Sequence, residues 1–201
     1  MAEGGTWEVA GLRLLRAEGV YWPAEDSLLM LDAIRSLKLE GSVCLDLGTG
    51  TGILAIEMAK KGCWTVASDL SPDSCLLARK NFSLNGVSIE IVQGNLTRHF
   101  RGLSFDLIAF NPPYLPLEGE SEQWAGGELG RELIDIVLVD LPRLLKDGGA
   151  ALMLHADFNY PELTIERAEA LGMKANIIRR RKLAFHELMV LEVRKIRTWT
   201  P

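Results

Sequence analysis

From Gly41 onward the chain alternates short apolar runs with amphipathic stretches, a pattern that few architectures accommodate. The apolar runs Val43 to Leu47, Thr65 to Asp69, Ile89 to Val92, Phe105 to Phe110, Ala150 to His155, Ala175 to Arg179 and Leu188 to Val193 read as strands. Helical patterns fall between the first five at Ile53 to Lys61, Pro72 to Leu84, a short turn near Thr97, and Arg131 to Leu145. A last helix, Pro161 to Leu171, precedes the closing pair. Gly62, Gly86, Gly148 and Gly172 follow helical patterns, where a left-handed residue ends a helix. Right-handed crossovers place such strands in an α/β fold, a mostly parallel sheet with helices on both faces. Only Arg180 to Glu187 separates the last two runs, so they pair antiparallel, and the prediction is a seven-stranded sheet with one reversed strand.

At 201 residues and 48% hydrophobic content, one well-buried domain is expected. Residues 1–22 read as an N-terminal extension, uneven in pattern, with residues 23–201 as the domain proper. The domain opens with a helix from about Pro23 to Leu37, whose first turn carries proline and carboxylates. A net charge of -5 disfavours a broad electrostatic face for nucleic acid. The basic cluster Arg179 to Lys182 reads as a solvated strand edge. Cys44, Cys63 and Cys75 lack Cys-x-x-Cys spacing and fit free thiols in a reducing compartment. His99, His155 and His186 are widely separated, so no metal site is expected. The N-terminal residues read as no leader and no run reaches membrane-spanning length, so a cytoplasmic location and no membrane partner are expected.

Ligands of such sheets bind at the carboxyl ends of strands, and the first of those ends carries Asp46-Leu47-Gly48-Thr49-Gly50-Thr51-Gly52. A dinucleotide fingerprint would need glycine at position 53, which is Ile53, so a pyrophosphate cradle is disfavoured. The Asp46 carboxylate beside the loop suits a ligand bearing a positive amine and no phosphate, as S-adenosylmethionine does. Asp69 ends the second strand about twenty residues on, where an acid accepts from both ribose hydroxyls. The plainer alternatives are that Asp69 caps the helix at Ser71-Pro72 and Asp46 ends a strand, but both acids at strand ends beside glycines favour cofactor binding. At the third strand's end, Gly94-Asn95-Leu96 is placed to meet an adenine through Asn95, or to form a plain turn.

The fourth run stops at Asn111-Pro112-Pro113-Tyr114. Prolines cannot donate to a ladder, and the residue before each is pushed to extended geometry. The segment offers an Asn carbonyl oxygen, a Pro backbone carbonyl and a flat ring, which together can hold a planar nitrogen group. In isolation, four such residues are more often a rigid turn. Here they follow the fourth strand of a fold whose first two strands carry cofactor features.

Together these motifs resemble the class I S-adenosylmethionine-dependent methyltransferases, which are Rossmann-like, and within them the HemK-type family with its Asn-Pro-Pro-Tyr motif. Val20-Tyr-Trp-Pro-Ala-Glu-Asp-Ser27 and Trp124-Ala-Gly-Gly-Glu-Leu-Gly-Arg131-Glu-Leu-Ile-Asp135 look like the archaeal and eukaryotic release factor glutamine methyltransferase branch. The resemblance covers nearly the whole chain. It implies that Ser27, Asp46, Gly48, Gly50, Asp69, Asn95 and Leu96 bind the cofactor S-adenosylmethionine, and that Asn111 touches both cofactor and substrate. Asn111, Pro112 and Tyr114 would be catalytic, and Pro113 would join them in holding the substrate.

The implied substrate is the glutamine of the Gly-Gly-Gln loop in a class 1 translation release factor. The implied partner is a small zinc-binding activator subunit in a heterodimer. Adenine-amine methylation of DNA or RNA, protein lysine methylation and a noncatalytic nucleotide-binding module are the alternatives. Two positions depart from the pattern. Asn95 stands where the family has Asp, making a charge-assisted contact neutral at a cost of about 1 kcal/mol, and Trp22 stands where an acid is expected. The loop around Gly126, Gly127 and Gly130 is placed to shape the substrate cleft, with Arg131 at the start of a helix.

Overall fold

The computed structural model describes residues 2–115 and 129–196. They fall into two compact units, residues 1–99 and 100–201. Seven strands make up the expected mostly parallel sheet with one reversed strand.

In the first unit, strands β1 (Ala2–Val9) and β2 (Leu12–Ala17) form an antiparallel hairpin in the segment read as an extension. Its turn, Ala10-Gly11, has φ of 51° and 82°. Positive φ at both turn residues matches the right-handed twist of the flanking strands. Helix α1 (Glu25–Arg35) follows, with Glu25 and Asp26 in its first turn and Arg35 in its last, the charge order that its dipole favours. Its apolar face, Leu29, Met30, Ala33 and Ile34, is fully buried, each large side chain contributing about 2 kcal/mol.

Strand β3 (Val43–Leu47) leads to α2 (Ile53–Lys60), β4 (Trp64–Asp69), α3 (Pro72–Leu84) and β5 (Glu90–Gln93). Strand β4 pairs in parallel with both β3 and β5. Cys44, Leu45 and Leu47 on β3 are buried in succession, as expected of a strand covered on both faces. Helix α3 begins with Pro72 at its first position, and the Ser71 hydroxyl accepts from Ser74 N–H at 3.3 Å.

Two amides one turn apart, Asn81 on α3 and Asn85 just past its end, fasten the hairpin. Asn81 Oδ1 accepts from Leu15 N–H at 2.7 Å, and Asn85 Oδ1 accepts from Arg13 N–H at 3.1 Å. Asn85 Nδ2 returns a bond to the Arg13 carbonyl at 2.6 Å. Edge groups of β2 are thereby paired with side chains instead of a third strand.

The second unit runs β6 (Phe105–Phe110), α4 (Glu132–Leu144), β7 (Leu145–Ala156), a short 3-10 helix (Asp157–Asn159), α5 (Pro161–Ala170), β8 (Met173–Lys182) and β9 (Glu187–Lys195). Strands β6 and β7 are parallel, and β9 is antiparallel to both β7 and β8, between which it lies. Strand β7 begins five residues before the expected Ala150. Its register shifts where Phe105 pairs with Leu145 but Leu107 pairs with Ala150, so the Gly148-Gly149 segment is accommodated as an irregularity. Among the described residues no helix is long and apolar enough to cross a membrane.

Candidate active site

In the first unit the glycine loop joins β3 to α2, and Gly48, Gly50 and Gly52 all have positive φ. Gly52 caps α2 at φ 84°. A Cβ there would sit 2.5 Å from Phe82 Cε1 and 3.2 Å from Ala78 Cβ, so the loop is pressed onto α3. Gly50 differs: a Cβ would meet nothing within 4 Å, and that side of the loop is open. Asn81, fully buried, donates from Nδ2 to the Thr51 carbonyl at 2.8 Å. One side chain therefore holds both the glycine loop and the N-terminal hairpin.

Asp46 lies under the loop. Its Oδ2 accepts from Thr49 Oγ1 at 2.7 Å and from Ala55 N–H at 3.0 Å. Burial pushes its carboxyl up to about 6, against the lowering effect of these bonds, with the Asp69 charge adding to the rise. The Asp46 side chain thus braces the loop from within.

Asp69, at the end of β4, is half-buried. Its Oδ2 accepts from Gly50 N–H and its Oδ1 from Ser71 N–H, both at 2.9 Å. A carboxylate has about four acceptor sites, so these two bonds orient Asp69 and leave room for two hydroxyl donors. Ser71, not Asp69, provides the side-chain cap of α3. Beyond β5, Gly94 N–H donates to the Asp69 carbonyl at 2.9 Å. Asn95 is exposed, its N–H donating to His99 Nε2 at 3.0 Å, and Leu96 follows at φ 48°.

Ser27 is buried at the start of α1, its N–H donating to Asp26 Oδ1 at 2.5 Å, while Tyr21 O–H donates to Asp26 Oδ2 at 2.9 Å. Trp22, the departure noted above, packs edge-on to Trp7 with centroids 6.5 Å apart. The Arg16 guanidinium lies 5.9 Å from its ring centre. An aromatic at position 22 is accounted for by this contact with the hairpin.

In the second unit, Asn111-Pro112-Pro113-Tyr114 leaves the buried end of β6. Asn159, fully buried, controls where the segment goes. Its Nδ2 donates to the carbonyls of Tyr114 at 2.8 Å and Leu129 at 3.1 Å, and its Oδ1 accepts from Ala156 N–H at 2.8 Å. A Cβ on Gly130 would fall 2.1 Å from the Tyr114 carbonyl oxygen, so only glycine fits where the two segments meet. The Tyr114 ring stacks on Phe158 at 6.5 Å and tilts towards His186 at 6.5 Å.

Arg131 is buried, and all five of its donors are engaged. They reach Asp135 at 3.1 and 2.7 Å, Thr164 Oγ1 at 3.2 Å, the Tyr160 carbonyl at 3.0 Å, and the Asn159 carbonyl. Burial pushes Asp135 up, but hydrogen bonds from Arg131 and Arg167 outweigh it and hold the carboxyl below its ordinary value. Thr164 Oγ1 also lies 2.9 Å from His155 Nε2, and His155 Nδ1 lies 3.3 Å from the Met153 carbonyl. Only the Nδ1–H tautomer satisfies this chain, with Thr164 accepting from Arg131 and donating to His155. Burial pushes His155 down to about 4, so the ring is neutral. Arg131 is consequently a brace for the Asn159 segment rather than a free cation.

The fold brings Ser27, Asp46, Gly48, Gly50, Asp69, Asn95 and Leu96 into the first unit, and Asn111, Pro112, Pro113 and Tyr114 into the second. Trp124, Gly126 and Gly127 lie outside the described residues. Sequence reasoning missed Asn81 and Asn159. Neither belongs to a local motif, and the segments that they tie down lie 30 to 66 residues away. Among the described residues no group of three or more His, Cys, Asp or Glu side chains could hold a metal ion.

Comparison with known proteins is consistent with this arrangement. The family model described as "Methyltransferase small domain" matches residues 16–168. A Methanocaldococcus jannaschii protein, provisionally named a protein N5-glutamine methyltransferase, is 36% identical over 192 residues, covering 92% of this chain and 96% of that protein. Methyltransferase HEMK2 of Homo sapiens is 29% identical, covering 88% of this chain and 90% of its own length. Among solved structures, the E. cuniculi Mtq2-Trm112 complex, described as responsible for methylation of the eRF1 translation termination factor, aligns with a TM-score of 0.74. It is 29% identical and covers 88% of this chain and 98% of that one.

Proposed function

The chain belongs to the methyltransferase small domain family, and we propose that it transfers a methyl group from S-adenosylmethionine to the side-chain amide nitrogen of the glutamine in the Gly-Gly-Gln loop of a class 1 translation release factor. The observation that carries this reading is the Asn111-Pro112-Pro113-Tyr114 segment, anchored at its far end by the buried Asn159 amide. Because Pro112 precedes Pro113, it is held to extended geometry, which restricts the direction of the Pro112 carbonyl.

The residues of the first unit fit the cofactor. Asp69 keeps two acceptor sites for a pair of ribose hydroxyls, the loop over Gly50 is open, and Asn95 is exposed beside Leu96. Ser27, Gly48 and Gly50 complete the set, while Asp46 acts by bracing the loop. When bound, the cofactor supplies an electrophilic methyl group on a positive sulfonium.

The protein's own task is orientation. A glutamine amide nitrogen is a poor nucleophile because its lone pair is delocalised into the carbonyl. With one amide hydrogen accepted by Asn111 Oδ1 and the other by the Pro112 carbonyl, the nitrogen is fixed and its lone pair can be turned out of conjugation. Pro113 holds the direction of the chain, and Tyr114 covers the flat face of the amide, its ring set by Phe158. His155 cannot act as a base here, being buried and bonded on both nitrogens. In this reading the nitrogen loses its proton after methyl transfer, when its positive charge makes that proton strongly acidic.

The same reading extends to a small activator subunit that carries zinc, and to a cytoplasmic location beside the translation machinery. The test uses labelled cofactor with a release factor, its Gly-Gly-Ala variant, and RNA. Label on the Gly-Gly-Gln factor alone supports the assignment. Label that persists on the Gly-Gly-Ala variant, or that goes to RNA, rejects it. Running the assay with and without the subunit checks the partner, and equal activity counts against it.

A further inference from the structure

The turn between β8 and β9, residues 183–186, plays no part in the mechanism above, yet it lies against the acceptor motif. Leu183 N–H donates to the His186 carbonyl at 2.8 Å and closes the turn. His186 packs on Phe158 at 5.7 Å and faces Tyr114 at 6.5 Å. Its Nε2 is buried with no hydrogen-bond partner, so ring packing, not hydrogen bonding through Nε2, sets its place. Glu187 N–H donates to Asp157 Oδ2 at 3.2 Å, which ties the turn to the 3-10 helix carrying Phe158 and Asn159.

Between these tethers stands Phe185, with 98% of its surface in water. A fully exposed phenylalanine on a tethered turn does nothing for folding, since a polar residue would close the turn as well. Leu115, next to Tyr114, and Leu129, whose carbonyl Asn159 holds, are exposed too. Three exposed apolar side chains are therefore tethered close to the acceptor motif, and exposed apolar surface beside a site points to an interaction surface. Arg180, whose charge could otherwise face a phosphate, is paired with Glu187 across the hairpin at 2.8 Å.

We propose that the β8–β9 turn docks the acceptor protein, with Phe185 as the anchor for the polypeptide flanking the methylated glutamine. His186 is a positioning residue that fixes the turn against Tyr114. The inference rests on the function proposed above and deepens it, by assigning recognition of the protein substrate to a turn outside every motif of the sequence.

Kinetics with the release factor test it. Phe185→Ala raises KM for the factor about tenfold, with kcat within twofold, cofactor Kd unchanged and melting temperature unchanged. Phe185→Leu recovers part of the loss. His186→Ala lowers kcat, and His186→Phe, which keeps a ring without nitrogens, restores it. If the wild-type protein methylates the factor and Phe185→Ala leaves KM unchanged, the docking role falls while the function stands. If the wild-type protein labels RNA and not the factor, the function falls and the protein occupant with it.

Discussion

The Asn159 side chain donates to the Tyr114 carbonyl at 2.8 Å while accepting from Ala156 N–H at the same distance, so the end of β7 and the end of the acceptor motif share one amide. Replacing it by alanine strands a buried N–H and at least two carbonyls. Asn159→Ala should lower stability by about 3 kcal/mol. Asn159→Asp should be worse, because a carboxylate would face carbonyl oxygens. Urea unfolding measures both, and residual turnover of the folded fraction should fall further than stability alone accounts for.

Gly50 and Gly52 should separate ligand binding from folding. Gly52→Ala drives a Cβ into Phe82 at φ 84° and should cost about 3 kcal/mol of stability. Gly50→Ala meets open space at φ 53°, so its stability cost should be about 1 kcal/mol. Its effect should appear in cofactor Kd, raised at least tenfold, because the added methyl enters the side assigned to the ligand. Thermal unfolding and calorimetric titration of the two variants check the contrast.

Asn111→Ala removes one of the two proposed acceptors of the amide hydrogens. Turnover should fall about a thousandfold or more, with cofactor Kd within about threefold of wild type. Single-turnover kinetics and direct binding separate the two, and wild-type-like turnover would sink the proposed grip.

Asp46 and His155 should oppose each other in the pH dependence of stability. Asp46 is raised to about 6, so it binds more protons folded than unfolded, and its contribution is lost as pH rises from about 4 through 6. His155 is lowered to about 4, so it binds fewer protons folded, and its contribution is lost as pH falls from about 6.5 through 4. Between those limits the two slopes cancel. Asp46→Asn, which keeps an oxygen for Thr49 and Ala55, should uncover the histidine slope, with stability rising by up to about 1.4 kcal/mol per pH unit. Denaturant midpoints from pH 4 to 7 measure it, and a flat profile in the variant would refute the pairing.

Sequence legibility followed how local each signal is. Helix α3 is legible at its bounds because Ser71, Pro72 and Gly86 punctuate it within the chain. Strand β6 was bounded at its end by Asn111-Pro112-Pro113. The N-terminal hairpin is not legible in the sequence, since its turn is Ala10-Gly11 and lacks the Asn or Asp that advertises such a turn, and its edge is met by Asn81 and Asn85 at the end of a distant helix. Asp46 shows the limit most directly. Its position beside the glycines was legible, but Oδ2 is committed to Thr49 and Ala55, a use that depends on how the loop folds back. Arg131 was likewise placed at a helix start, while its five bonds draw on residues up to 33 positions away.

Strand β9 is later in the chain than β7 and β8, yet it lies between them. During synthesis β8 therefore waits without a neighbour until β9 emerges to fill the gap, and the turn that brings His186 to Tyr114 closes only then. A ribosome-bound chain that already displays the complete glycine loop and the whole Asn-Pro-Pro-Tyr segment still lacks the wall behind its acceptor motif. Order of synthesis thus sets order of assembly: the last strand made is the one that completes the acceptor side.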